Sequence, residues 1–397
     1  MREFEAHVRR FLDRVPAEIL ALEVDDVTRS ARWHRALHEA GLAAIAYPRR
    51  FGGAGLTPAH QELFDRLASQ RRLPVSRHGI GIGMVYPTLV EHGGDELRRK
   101  YLVPLLRGED LWCQLYSEPG AGSDLASLQT RAVRDGDVFR VTGQKVWTSG
   151  AAEADLGIAI VRTNVDVPKH RGITMMVIDM RQPGVTVRPL RQMTGVSEFN
   201  EVFLDEVVVP VSDVVGDVDR GWRLAVALLH NERRSLGTGR GGRQPASFEW
   251  LVEAARDRGL TGDRLIRQEL AWVHSANLIL SWLKARSEAS AEAGRGPGPE
   301  GSVGKLWRTR LGRRAAALGG RIVGSAAIAG PAGDGGVDRW AYVMCDAPGM
   351  SLGGGTDEIQ RNTIGEKVLG LPREPSVDRE VPFRDLLTGK HTPTGTP

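Results

Sequence analysis

The sequence predicts an α+β protein in which a helical zone, a β zone and a second helical zone follow one another along 397 residues. Three observations carry this reading. Apolar residues recur at spacings of three and four over 3–110 and again over 221–369, the period of helices with one buried face. Between them, over 113–215, apolar residues form short β-branched runs cut by Gly, Asp or Pro, the pattern of strands and turns. The chain is also too long for one simple core and fits two or three domains. The expected boundaries are 1–112, 113–217 and 218–372, with 373–397 as a tail.

Each zone is built from recognisable elements. In the first, Leu63, Phe64 and Leu67 follow Pro58, and Leu102, Leu105 and Leu106 follow Tyr101; each triplet lines one helix face. The middle zone has strand-like runs at 138–141, 158–161, 173–178 and 185–187. Asp219-Arg220-Gly221 then leads into an apolar helical stretch over 222–229, followed by helices near 264–290, 302–328 and 357–369. The Gly/Pro-rich residues 294–301 read as an exposed inter-helix loop. The tail, rich in Pro, Thr and charge, reads as disordered. No internal repeat is visible.

Composition narrows the function classes. Hydrophobic residues make up 41% of the chain, ordinary for a globular protein. Net charge is only +4, but 53 Lys and Arg leave room for a local basic patch that would suit a polyanionic ligand. No basic run is interleaved with aromatics, so nucleic acid is not an expected partner. Cys113 and Cys345 read as two buried thiols in a reducing compartment. Acidic Glu3, Glu5 and Asp13 near the start argue against a signal or transit peptide. No apolar run reaches the ~18–20 residues of a membrane span, and a cytoplasmic location is expected. His34 and His38 are spaced i, i+4, but no further His/Cys cluster joins them, so a packing or surface pair is expected rather than a metal site.

Two segments carry the chemistry. Gly120, Ala121, Gly122 and Ser123 follow directly on Glu118-Pro119, and small residues after a rigid turn leave backbone N–H groups free to approach an anion. Trp147, Thr148 and Ser149 end a β-like run, setting a flat ring beside two hydroxyls. Together they suit an aromatic cofactor that also carries phosphates. With these segments the sequence resembles the acyl-CoA dehydrogenase family of flavoenzymes. The resemblance extends to Tyr47-Pro48-Arg49-Arg50-Phe51-Gly52-Gly53-Ala54-Gly55, to Pro189-Leu190-Arg191-Gln192-Met193-Thr194-Gly195, and to Gly355-Thr356-Asp357-Glu358-Ile359-Gln360-Arg361-Asn362. These blocks stand in the family's order.

The resemblance implies an N-terminal helical domain, a β-barrel-like middle and a C-terminal four-helix bundle. It implies FAD as cofactor, held by Ser117 with the backbone around Gln114 and Tyr116, by Gly122 and Ser123 at the pyrophosphate, by Trp147 and Ser149 at the ring, and by Thr356 and Glu358 at the adenylate end. Ser123 and Arg233 would also meet the substrate, an acyl-CoA or acyl-carrier thioester of lipid metabolism. An electron-transfer flavoprotein would take the electrons, and the chain would be a homo-oligomer, dimer or tetramer. Two departures stand out. Gly354 occupies the position of the family's commonest base, and glycine accepts no proton; the isovaleryl-CoA dehydrogenase branch carries its Glu on a helix, which here matches Glu232. Arg258-Gly259-Leu260-Thr261-Gly262 matches a stretch that reaches a neighbouring subunit's FAD, with Thr261 in place of Phe. The alternatives are a flavin oxidase or monooxygenase on the same fold, or one subunit of a heteromeric dehydrogenase.

Overall fold

The computed structural model describes residues 1–237, 247–293, 298–327, 335–376 and 378–387. Residues 238–246, part of the glycine-rich stretch after Glu232, lie outside them, as do 294–297 of the expected inter-helix loop and 388–397. The chain divides into two compact units: Met1–Leu190 with Glu198–Ser235 and Ser376–Pro397, and Arg191–Ser197 with Leu236–Pro375.

The first unit opens with helices α1 (Arg2–Leu20), α2 (Asp26–Glu39), α3 (Pro58–Ala68), α4 (Tyr86–His92) and α5 (Asp95–Leu106). The apolar triplets expected on α3 and α5 are buried. Asp25 caps α2, its side chain accepting from the Thr28 N–H at 2.8 Å, which satisfies a donor the helix leaves open. The motif loop at 47–55 turns tightly: a Cβ on Gly53 would lie 2.3 Å from the Tyr47 carbonyl oxygen, so no side chain fits there.

Eight strands follow: β1 (Trp112–Leu115), β2 (Arg131–Asp135), β3 (Val138–Ser149), β4 (Leu156–Arg162), β5 (Ile173–Asp179), β6 (Val185–Leu190), β7 (Phe199–Pro210) and β8 (Val214–Val215). They form one mixed sheet ordered β6-β7-β3-β2-β4-β5-β8, with β1 parallel to β4. Alternation along β4 explains its unbroken apolar run. Ile158 and Ile160 join the helical core, whereas Ala159 and Val161 join a second core with Cys113, Leu115, Phe139, Val141 and Val202. A strand buried on both faces needs apolar residues at every position. Helix α6 (Gly221–Gly237) then returns to the first core through Leu224, Ala225 and Leu228.

In the second unit α7 (Phe248–Asp257), α8 (Arg264–Glu292), α9 (Glu300–Val323) and α10 (Gly335–Asp346) share a core of Leu251, Val273, Leu311, Leu318 and Trp340. The short α11 (Asp357–Thr363) precedes a π-turn at Ile364–Val368. Cys113 is buried as expected, but Cys345 is half-buried. It lies two residues past Val343 of the core, and residues two apart on a helix do not share a face.

The tail departs from its expected disorder over 378–387. This stretch is a strap ending in α12 (Phe383–Leu387). Phe383 and Arg384 donate their N–H groups to the carbonyls of Val167 and Val165, each at 3.0 Å. The Phe383 ring is buried and lies 3.9 Å from the Arg162 guanidinium carbon. Lys169 binds Asp378 at 2.6 Å. A composition rich in Pro, Thr and charge hides one aromatic anchor and two ion pairs, the second between Arg384 and Asp166 at 2.7 Å. Phe383→Ala should lower stability by about 3 kcal/mol, the low end for a buried Phe truncation, and should speed amide exchange at Phe383 and Arg384. An unchanged urea midpoint with unchanged exchange would contradict the docking.

Candidate active site

The loop after β1 is rooted by a buried ion pair. Lys145, fully buried on β3, donates to the Glu118 carboxylate at 2.8 Å, the Ile160 carbonyl at 2.8 Å and the Tyr116 carbonyl at 3.1 Å. All three ammonium protons are thereby used. Glu118 also accepts from the N–H groups of Gln129 (2.6 Å) and Thr130 (2.9 Å). Burial pushes its carboxyl up, but the Lys145 charge and these hydrogen bonds outweigh that and hold it below the usual range. Burial also pulls Lys145 down, against the pull of Glu118. The Ser117 carbonyl accepts from the Val146 N–H at 2.9 Å, and Glu118 and Ala121 exchange backbone bonds at 3.0 Å. The root is fixed while Pro119, Gly120, Gly122, Ser123 and Asp124 stay exposed.

Two more cations hold the far side of the same loop. Buried Arg162 donates to the carbonyls of Ala126 and Lys169, both at 2.6 Å. Burial brings its guanidinium down to about 10, with Glu118 and Asp219 pulling the other way. Lys169 grips Asp124 at 2.9 Å and Asp378 of the strap. Sequence reasoning passes over Lys145, Arg162 and Lys169. For Lys145 and Arg162 the signal is a basic residue inside or at the end of a β stretch, where an unpaired charge would be too costly; Lys169 lies in the loop between β4 and β5 and carries no such signal.

Trp147 sits where β3 slips register against β7, between Lys145 and Thr148. Its φ is +60° and its indole is 61% exposed, resting edge-on against Phe199 with ring centres 6.0 Å apart. A large side chain held in left-handed backbone is a strained arrangement that clusters at functional sites. Asn200 holds the next turn by donating to the Thr148 carbonyl at 2.9 Å. Ser149 pairs in register with Phe199. The first unit thus holds an open loop of small residues on a rigid root and an exposed aromatic plate on the same sheet, features that fit a flat cofactor bearing phosphates.

Glu232 lies one turn past Leu228 on α6, half-buried. The preceding Asn231 contacts Thr88 of α4 at 3.4 Å. Tyr116, just beyond β1, is buried, and its hydroxyl is pushed well above its ordinary range by burial and by the neighbouring Glu232 charge. The Arg233 side chain lies outside the described residues. His34 is buried, with Nε2 2.7 Å from the Ser76 hydroxyl and its ring 5.0 Å from that of His78.

In the second unit Gly354 and Gly355 have φ of +66° and +87°, and both carbonyls accept from Gln360 at 3.0 and 3.2 Å. Thr356 caps α11 by accepting from the Ile359 N–H at 3.2 Å. Glu358 is exposed and paired with Arg361. Arg258 is exposed just after α7.

Three family models match in chain order: the acyl-CoA dehydrogenase N-terminal domain over residues 1–109, middle domain over 113–207 and C-terminal domain over 219–369. Among relatives, acyl-CoA dehydrogenase IpdE1 of Mycobacterium tuberculosis is 36% identical over 389 residues, covering 94% of this chain and 98% of its own length. Acyl-CoA dehydrogenase FadE34 of the same organism is 40% identical over 348 residues, covering 85% of this chain; the match spans only 46% of FadE34. Among solved structures, the Tcur3481-Tcur3483 steroid ACAD aligns with a TM-score of 0.77 at 28% identity, covering 94% of this chain and 98% of that one. The ChsE4-ChsE5 complex of Mycobacterium tuberculosis aligns with a TM-score of 0.74 at 30% identity, covering 94% and 97%. No helix among the described residues is long and apolar enough to cross a membrane. The three domains in order, with IpdE1 matched over nearly its full length, show that the chain belongs to the acyl-CoA dehydrogenase family of FAD-dependent oxidoreductases acting on CH–CH groups.

Proposed function

We propose that the chain desaturates the α,β bond of an acyl-CoA or acyl-carrier thioester, with Glu232 as the base that takes the α-proton. Bound FAD supplies the acceptor for the β-hydride. The observation that carries this reading is the position of Glu232: half-buried on α6, one turn from buried Leu228 and in electrostatic contact with buried Tyr116. Proton abstraction at the α-carbon of a thioester needs a carboxylate positioned at the substrate. Gly354 leaves the C-terminal loop without a carboxylate at the corresponding position.

The residues proposed to hold the cofactor are Ser117, the backbone of Gln114 and Tyr116, Gly122, Ser123, Trp147, Ser149, Arg258, Thr356 and Glu358. Ser123 and Arg233 would also meet the thioester. The exposed indole at a strained position favours a stacking role for Trp147, since burial does not require it there. An electron-transfer flavoprotein is the proposed acceptor. One solved neighbour is named a steroid ACAD, which puts bulky polycyclic acyl thioesters first in a substrate panel. Two solved neighbours are named as two-component assemblies, and together with Gly354 they support a second reading, in which this chain works as one subunit of a heteromer.

The purified protein, alone or with its partner, should carry FAD rather than FMN. Ser123→Asp places a charge beside the expected pyrophosphate and should weaken FAD binding by about tenfold, within the range of one near-surface like-charge contact. Unchanged affinity in a flavin titration would count against the loop's assignment. Glu232→Gln keeps shape and hydrogen-bonding capacity but removes the proton acceptor. It should slow anaerobic flavin bleaching by an acyl-CoA thioester by ~10²–10⁴-fold, with FAD retained. A parental rate in that variant would sink the base assignment.

A further inference from the structure

The contacts of the strap gather on one short segment, residues 162–169. Phe383 covers the Arg162 guanidinium, and the Phe383 and Arg384 N–H groups donate to the Val167 and Val165 carbonyls. Arg384 binds Asp166 at 2.7 Å, and Asp378 binds Lys169 at 2.6 Å. The same segment holds the downstream end of the small-residue loop. Lys169 donates to both Asp124 carboxylate oxygens at 2.9 Å, and Arg162 donates to the Ala126 carbonyl at 2.6 Å. The upstream end is held separately, by Lys145 through Glu118. Gly122 and Ser123 lie between these two supports.

Lys169 is where the strap meets the loop. Its side chain is only 7% exposed, and its three ammonium protons are matched by two oxygens of Asp124 and one of Asp378. Burial pulls the ammonium down, but the two carboxylates outweigh this and hold it above its ordinary range. Hydrogen bonds from Lys169 and Ser376 bring the Asp378 carboxyl down to about 2, so it stays ionised near neutral pH. A buried cation that loses one of its two carboxylates must shift toward water or toward the other. Displacement of the strap is therefore felt at Asp124, the residue next to Ser123.

We propose that Lys169 is a positioning residue of the cofactor site, through which strap docking and FAD binding at the Gly122–Ser123 loop strengthen each other. This rests on the reading of that loop as the pyrophosphate site. A docked strap fixes Lys169, and Lys169 fixes Asp124. The loop is then ordered before FAD arrives, so less conformational freedom is lost on binding. Coupling of this kind is reciprocal: bound FAD must favour the docked strap by the factor by which the strap tightens FAD. Charge alone predicts the opposite behaviour for Asp378. Removing its carboxylate leaves more of the Lys169 charge available to an anion, whereas loss of positioning weakens FAD.

Two readouts on the full chain test this: the FAD dissociation constant, and amide exchange at Phe383 and Arg384 with and without FAD. Asp378→Asn should weaken FAD binding about fivefold, the low end of ordinary coupling between two sites. Phe383→Ala, which frees the strap without altering its charge, should weaken it to a similar degree. In the parent, FAD should slow exchange at both amides by about the same factor, and in Lys169→Met it should leave them unchanged. Unchanged or tighter FAD binding in both strap variants overturns the inference, as does parental exchange that is equal with and without FAD. If Ser123→Asp weakens FAD while the strap variants do not, the inference fails and the loop assignment stands. If Ser123→Asp also leaves FAD affinity unchanged, both fall.

Discussion

Everything at the candidate site depends on the fully buried Lys145 ammonium and its contact with Glu118. An unpaired charge at that depth would cost several kcal/mol, so the cation must be surrounded by acceptors. Two come from the stretch between β1 and the small-residue loop, the Tyr116 carbonyl and the Glu118 carboxylate, and the third is the Ile160 carbonyl of β4. Satisfying one ammonium therefore ties that stretch and β4 to β3. The loop tip can remain open because its base is held electrostatically. Arg162 and Lys169 extend the same logic outward, each setting a buried charge against a fixed carbonyl or carboxylate.

The order of helix, sheet and helix was legible in the sequence because it is carried by local periodicity. Leu63, Phe64 and Leu67, or the run at 158–161, announce their element within a few residues. The small residues at 120–123 and the Trp147–Ser149 segment were legible as types of residue suited to a flat, phosphate-bearing cofactor. What the sequence did not reveal depends on distance along the chain. Lys169 and Asp378 are 209 residues apart, and nothing in the composition around Asp378 marks it as an anchor. The left-handed backbone of Trp147 was hidden too, because it comes from a register slip between β3 and β7 and not from a glycine.

The base position illustrates the same limit from the other side. A missing carboxylate at Gly354 is visible in the sequence, and so is the Glu that follows Asn231. The environment of that Glu is not. Its neighbour Tyr116 stands far earlier in the chain and joins it only because the end of β1 and α6 share a core.

The strap has a consequence for how the molecule is made. The first compact unit is discontinuous: its residues up to 235 are synthesised early, but the strap that completes it comes only after the second unit's 236–375 have been produced. Phe383, the cap over Arg162, is therefore made only after the second unit. Until then Arg162 is without its aromatic cover and Lys169 without Asp378. Contacts this far apart in sequence also form slowly, because loop closure must precede them. The loop carrying Ser123 and Asp124 thus acquires its final anchor only after the second unit has been made, so a chain cut before the strap would keep most of the first unit's core and lose that tether.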